Sequence, residues 1–177
     1  MPPRWQTGYN RIDVKGSIMT NPITRDRRHF EDLAVGETVA LGPRTVSKAD
    51  IIAFATEFDP FPFHLDEKAA KASLLGGLAA SGWQTGALSL RMLVDGFLSR
   101  IASMGGLGFS DLKWKRPLMK GDTLSGTATI TSLRRSASYA NMGILTVAFD
   151  MRNQKGQQVM TLNLANLVEI REPEAIL

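Results

Sequence analysis

Apolar residues recur at intervals of three and four from about residue 47 to about residue 104, and at intervals of two beyond about residue 109. The first period belongs to helices and the second to strands. Residues 29–36 (HFEDLAVG) read as one anchoring turn, with Phe30, Leu33 and Val35 apolar and Gly36 closing it. Glu37 to Val46 alternates loosely, breaks at Gly42-Pro43 and resumes at Thr45 and Val46, which predicts a strand with a bulge or bend. Ser47, with Asp50 three residues on, predicts a helix start, and Ile51, Ile52, Ala55 and Phe58 follow at helical spacing. Asp59 ends this helix because the residue before a proline is pushed out of the helical region. Pro62 stiffens the following loop, and Asp66 caps a short helix over Glu67 to Ser73.

The longest pattern runs from Trp83 to about Met104. Trp83, Ala87, Leu90, Val94, Phe97 and Ile101 mark its apolar face, and Leu88, Met92, Leu93 and Leu98 broaden it. A helix this apolar is expected to be buried, and Gly105, Gly106 and Gly108 are expected to stop it. Four strands are then predicted as an antiparallel meander: Phe109 to Trp114, Thr123 to Leu133, Tyr139 to Arg152 and Gln158 to Glu169. In the third, Ile144 and Val147 through Met151 predict burial on both faces. One long helix and about five long strands predict an α+β fold in which a curved antiparallel sheet wraps a central helix. Such a sheet leaves an edge strand, so a homodimer, or a larger oligomer built from dimers, is expected. No internal repeat is visible, which argues for one such unit per chain.

Composition narrows the class. The chain has 177 residues, 44% hydrophobic and 21% charged, enough for one domain with a core. The net charge of +4 sits entirely in residues 1–28, where six basic side chains face two acidic ones. That segment lacks a repeat, amphipathic spacing or interleaved stacking aromatics, so it is expected to be a flexible or strapped-down extension and not a nucleic-acid arm. Residues 29–177 are expected to form the single domain. With no cysteine, disulfides, zinc ribbons and cysteine nucleophiles are excluded. No window is apolar enough to span a membrane, and no apolar signal segment begins the chain, so a cytoplasmic protein is expected.

The candidate chemistry lies in Asp59 to Gly82, DPFPFHLDEKAAKASLLGGLAASG. Asp59 and His64 share one proline-stiffened loop, and a carboxylate and an imidazole that converge can hold and activate a water. The spacing alone reads equally well as a turn aspartate and a loop histidine bonded to backbone. Gly76, Gly77 and Gly82 precede the long helix, whose free amides and dipole can stabilise a developing oxyanion. Ser81, Gln84, Thr85 and Ser89 are weaker candidates to line a pocket, and Trp83, Phe61 and Phe63 to wall it. Lys113, Lys115, Arg116 and Lys120 are scattered charges that could equally meet phosphates or solvent.

Asp59, Pro62, His64, Asp66, the alanine-rich helix, Gly76-Gly77-Leu78-Ala79 and Gly82 resemble the hydratase motif of the MaoC-like family, the (R)-specific enoyl-CoA hydratases and their hot-dog relatives. The resemblance continues through Trp114-Lys115-Arg116-Pro117 and Gly121-Asp122, and covers roughly His29 to Glu169. It implies a hot-dog fold and a hydro-lyase acting on an acyl-CoA or acyl carrier protein thioester, without metal or organic cofactor. It further implies Asp59 and His64 as the water-activating pair, an amide near Gly82 that receives the thioester oxygen, and an acyl tunnel at a dimer interface. Ser81, Trp83 and Phe61 are the expected substrate contacts beside Gly82. Two departures stand out: the family often carries asparagine two residues before the histidine, where this chain has Phe61 next to Pro62, and histidine before the helix-opening glycine, where it has Ser81. The competing readings are a hot-dog thioesterase, for which only Asp95 offers a carboxylate on the long helix, and a non-catalytic acyl-thioester-binding module.

Overall fold

The computed structural model describes residues 27–172. Most of the expected basic extension therefore lies outside the described residues. Its last positions do engage the domain: Arg28 bridges to Ile101 in parallel and its guanidinium pairs with Glu37.

After a 3₁₀ turn at Phe30–Asp32, strand β1 (Thr38–Thr45) leads into helix α1 (Lys48–Phe58), the one-turn helix α2 (Pro62–Leu65), helix α3 (Glu67–Ala72) and the long helix α4 (Gly82–Gly96). Strands β2 (Ser103–Trp114), β3 (Thr123–Arg135), β4 (Met142–Arg152) and β5 (Gln158–Glu169) follow. All pairs are antiparallel, in the order β1-β3-β4-β5-β2. The expected α+β class and the helix-plus-sheet architecture are observed.

Local signals act where expected. The register of β1 shifts between Leu41 and Arg44, around a cis Gly42-Pro43 peptide. Gly42 has φ +85, and a Cβ there would lie 2.9 Å from the Leu124 carbonyl oxygen, so the bend needs glycine. Ser47 and Asp50 form a reciprocal capping box at the start of α1. Asp66 caps α3 by accepting from the Ala69 amide at 2.8 Å.

Four expectations are corrected. First, the helix ends at Gly96, and Phe97 and Ile101 reach the core from either side of a 3₁₀ turn at Leu98–Arg100. Their spacing imitates a continuing helix. Gly105, Gly106 and Gly108 lie within β2, which pairs irregularly with β5. Second, β2 is not next to β3; residues 115–122 carry the chain to the far side of the sheet, so β1 and β2 are its edges. Third, β4 buries one face only, through Gly143, Leu145, Val147, Phe149 and Met151.

The fourth correction matters most for the site. The buried residues of α4 are Gln84, Thr85, Ser89, Met92 and Leu93, whereas Trp83, Leu90 and Val94 are exposed, at 54%, 45% and 38%. The N-terminal half of α4 thus turns its polar face inward. Its buried groups are mostly satisfied: Gln84 Nε2 donates to the Asp50 carbonyl at 2.9 Å, Ser89 Oγ to the Thr85 carbonyl at 2.8 Å, and Thr85 Oγ1 to the Ser81 carbonyl at 3.3 Å. Gln84 Oε1 is buried without a partner among the described residues. The hydrophobic core lies between the remainder of α4, α1 and the inner face of the sheet, around Ile51, Leu93, Leu124, Leu145 and Met151. No helix among the described residues is long and apolar enough to cross a membrane.

Candidate active site

Asp59 is the C-cap of α1, its amide still bonded to the Ala55 carbonyl at 2.9 Å. Pro60 forces the chain out of the helix, and the Phe61 amide donates to the Asp59 carbonyl at 2.8 Å, which folds the loop tightly. Pro62 then opens α2, where its lacking N–H removes no helical bond. This single turn carries His64 back toward the aspartate. A segment read as a stiff loop is therefore stiffer still.

His64 is 7% exposed. Its Nδ1 lies 2.8 Å from the Ala79 carbonyl oxygen. A carbonyl can only accept, so Nδ1 carries the proton, and a neutral ring presents Nε2 as an acceptor. Nε2 lies 3.5 Å from Asp59 Oδ2, and the aspartate side chain is 20% exposed. Two acceptors this close call for donors, and one water at ordinary hydrogen-bond distance from both supplies two. Such an arrangement can hold a water by its protons, leaving its oxygen lone pairs free.

The pair borders a cavity of about 420 Å³ whose lining includes Phe63, Ser81, Gly82, Trp83, Thr85 and Trp114, with Lys115 and Arg116 also contributing. Ser81 is fully buried and caps α4, its Oγ accepting from the Trp83 amide at 3.1 Å. The Ala80 amide is taken by the Leu118 carbonyl. The Gly82 amide, in the first position of α4, makes no hydrogen bond among the described residues. It stands at the positive end of a 15-residue helix, where an oxygen gaining negative charge is favoured.

Of the residues singled out in sequence, Asp59, His64, Ser81, Gly82, Trp83 and Thr85 are brought together. Phe61 is 56% exposed and stacks on Phe63 at 5.2 Å, but it is Phe63, in edge contact with the His64 ring, that lines the cavity. Gly76 and Gly77 line a separate recess with Glu67, Lys71 and Lys120. Lys113 is also absent from the lining, and Asp95 pairs with Arg91 on the exposed side of α4. Trp114 was legible only as part of a motif. Its Nε1 donates to the Gly82 carbonyl at 2.9 Å, and a Cβ on Gly82 would come within 2.5 Å of the indole. Glycine at this position therefore permits the indole to lie against the start of α4.

A second, apolar cavity of about 260 Å³ lies between α4 and the sheet, reaching Leu90, Phe109, Phe149 and Leu164.

A family model described as MaoC like domain matches residues 31–150. The crystal structure of the MaoC-like dehydratase from Rhodospirillum rubrum is similar with a TM-score of 0.71 at 40% identity, covering 81% of this chain and 98% of that one. The (R)-specific enoyl-CoA hydratase of Rhodospirillum rubrum is 32% identical over 112 residues, 59% of this chain and 71% of the relative. The uncharacterized protein YdeM of Bacillus subtilis (strain 168) is 29% identical over 140 residues, 79% of this chain and 98% of the relative. The five-stranded antiparallel sheet with its central helix is the hot-dog fold of this dehydratase structure.

Proposed function

From the premise that the chain belongs to the MaoC-like dehydratase family, we propose that it is a reversible hydro-lyase that adds water across the C2–C3 double bond of an enoyl thioester. The observation that carries this reading is the His64 ring, fixed by the Ala79 carbonyl so that Nε2 and Asp59 Oδ2 face each other at 3.5 Å beside the first amide of α4. In the hydration direction, a water donates to both groups and Asp59 takes one of its protons. The water oxygen bonds to C3, and the π electrons shift through C2 to the thioester oxygen, where the Gly82 amide stabilises the enolate. Asp59 then returns the proton to C2, which restores the carboxylate and completes the addition. His64 orients the water throughout. No metal or organic cofactor enters this sequence of steps.

Ser81 supports the oxyanion side by capping α4, its Oγ accepting from the Trp83 amide. Lys115 and Arg116 are suited to the phosphates of CoA or of an acyl carrier protein's pantetheine arm. The working unit is a homodimer. Support comes from the exposed apolar stripe of α4, Trp83, Leu90 and Val94, which continues onto the open edge strand β2 through Met104, Leu107 and Phe109.

The test is a screen of trans-2-enoyl-CoA thioesters, followed by loss of conjugated absorbance and by thiol release. Hydration without free CoA is expected. Release of CoA without hydration would replace the reading with a thioesterase, and binding without either reaction would replace it with a binding module.

A further inference from the structure

The recess lined by Gly76 and Gly77, of about 260 Å³, adjoins the catalytic cavity along one short ladder. Ala79 and Met119 form an antiparallel bridge, flanked by bonds from the Ala80 amide to the Leu118 carbonyl and from the Lys120 amide to the Leu78 carbonyl, each 2.8 Å. Ala80 and Leu118 line the catalytic cavity, whereas Leu78 and Lys120 line the recess. Neighbouring residues of the same two segments thus face the two spaces.

The recess is cationic. Its ionisable lining is Glu67, Lys71 and Lys120. Glu67 is already occupied, accepting from Lys120 Nζ at 2.5 Å and from Lys48 Nζ at 2.8 Å, and these two lysines hold its carboxyl at about 2. Three ammonium groups therefore share one carboxylate, and Lys71 is the one without a partner among the described residues. On the facing turn, Gly76 has φ +69, and a Cβ there would meet nothing within 4 Å, so no side chain fills the space. The Gly77 and Leu78 amides make no hydrogen bond among the described residues, which leaves donors to spare in the same lining. A phosphomonoester, with its several acceptor oxygens and about two negative charges at neutral pH, matches one free ammonium, one fixed ammonium and spare amides.

We propose that this recess receives the 3′-phosphate of coenzyme A. Lys115 and Arg116, in the lining of the catalytic cavity, face the phosphates nearer the pantetheine, and Lys120 follows Arg116 by at most about 14 Å of extended chain. The ribose between the pyrophosphate and the 3′-phosphate, together with the long basic side chains, spans such a gap. A carrier protein's pantetheine arm has a phosphodiester but no 3′-phosphate. The recess therefore makes the protein a reader of CoA thioesters in preference to carrier-protein thioesters. The proposal rests on the acyl-thioester reading of the neighbouring site, but not on hydration itself.

The experiment measures, by calorimetry at low salt, the affinity for butyryl-CoA and for butyryl-3′-dephospho-CoA with wild type, Lys71→Gln and Lys71→Glu. Lys71 is exposed and without a partner among the described residues, so neither substitution removes a contact of the fold. Lys68→Gln, an exposed position of α3 outside the recess, is the control for general charge. Wild type and the control are expected to prefer the 3′-phosphorylated thioester by about tenfold, the scale of a charge-assisted bond partly screened by water. Lys71→Gln should cut that preference to about threefold or less and Lys71→Glu should abolish it, because part of the charge-assisted pairing is lost in the first and opposed in the second. A wild type that binds both thioesters equally overturns the proposal, as does a preference that survives Lys71→Glu. Turnover of the matching enoyl thioesters is assayed beside it: the preference without turnover sinks the hydro-lyase reading and leaves the phosphate site standing. Turnover with no preference does the reverse.

Discussion

Gly82→Ala probes the junction on which the site depends. The added Cβ would stand 2.5, 2.7 and 2.9 Å from three atoms of the Trp114 indole, whereas carbon contacts are comfortable at about 3.5–4.0 Å. The ring must therefore retreat by about 1 Å. That movement stretches the 2.9 Å bond from Trp114 Nε1 to the Gly82 carbonyl beyond useful length, a loss of about 0.5–1.5 kcal/mol. Overpacking adds about 1–3 kcal/mol, and the better helix propensity of alanine returns up to about 1 kcal/mol. The net expectation is a destabilisation of about 1–3 kcal/mol, read from the urea midpoint at unchanged slope. A double-mutant cycle with Trp114→Ala isolates the cause. Once the indole is gone the added methyl has nothing to strike, so Gly82→Ala should then be neutral or stabilising, with a coupling of at least about 1 kcal/mol. An equal effect of Gly82→Ala in both backgrounds would refute the reasoning, because the cost would then not lie in this contact.

Other outcomes follow from the same geometry. Glu67 is held at about 2 by Lys120 and then by Lys48, which tie α3 to α1 and to the turn before β3. A carboxylate with a depressed pKa stabilises the fold above its ordinary range and loses that contribution as pH falls through about 2. Glu67→Gln should therefore be less stable than wild type at neutral pH, with the difference fading between about pH 4.5 and 2 and shrinking in 1 M salt; a pH-independent difference in thermal midpoint would contradict this. A Cβ on Gly126 would run into the Asp150 carbonyl oxygen and lie 2.9 Å from Met151 Cα, so Gly126→Ala should destabilise by about 2–4 kcal/mol in chemical denaturation. Light scattering should give about twice 19.4 kDa or a higher even multiple for the wild type, and Leu90→Asp with Val94→Asp should reduce it to one chain; a monomeric wild type would remove the dimer from the proposal.

The parts of the fold legible in the sequence are those set by neighbours along the chain. The Ser47–Asp50 box, the Gly42-Pro43 bend, the Asp66 cap and the bounds of β5 all depend on a few adjacent residues. The approach of Asp59 and His64 also has a local origin, two prolines folding a six-residue stretch tightly, although the spacing alone read equally well as a turn aspartate and a backbone-bonded histidine. What escaped was set at a distance. Periodicity identifies the apolar side of a helix but not what that side faces, and α4 turns Gln84, Thr85 and Ser89 inward, where Gln84 meets the Asp50 carbonyl of α1, Ser89 bonds back to the Thr85 carbonyl and Thr85 borders the cavity. The place of β2 at the sheet edge depends on its pairing with β5, more than forty residues later, and nothing in its local pattern encodes that. Likewise, only the packed structure distinguishes Phe63, which lines the cavity, from Phe61.

The central claim is that Asp59 and His64 together activate water. Its most direct measurement is the hydration rate of crotonyl-CoA by Asp59→Asn and His64→Ala beside wild type, with butyryl-CoA affinity and thermal midpoint recorded for each. A fall in kcat of about 100-fold to 10,000-fold in both variants, with affinity and fold retained, is the predicted result. A wild-type rate in either variant would contradict the assignment.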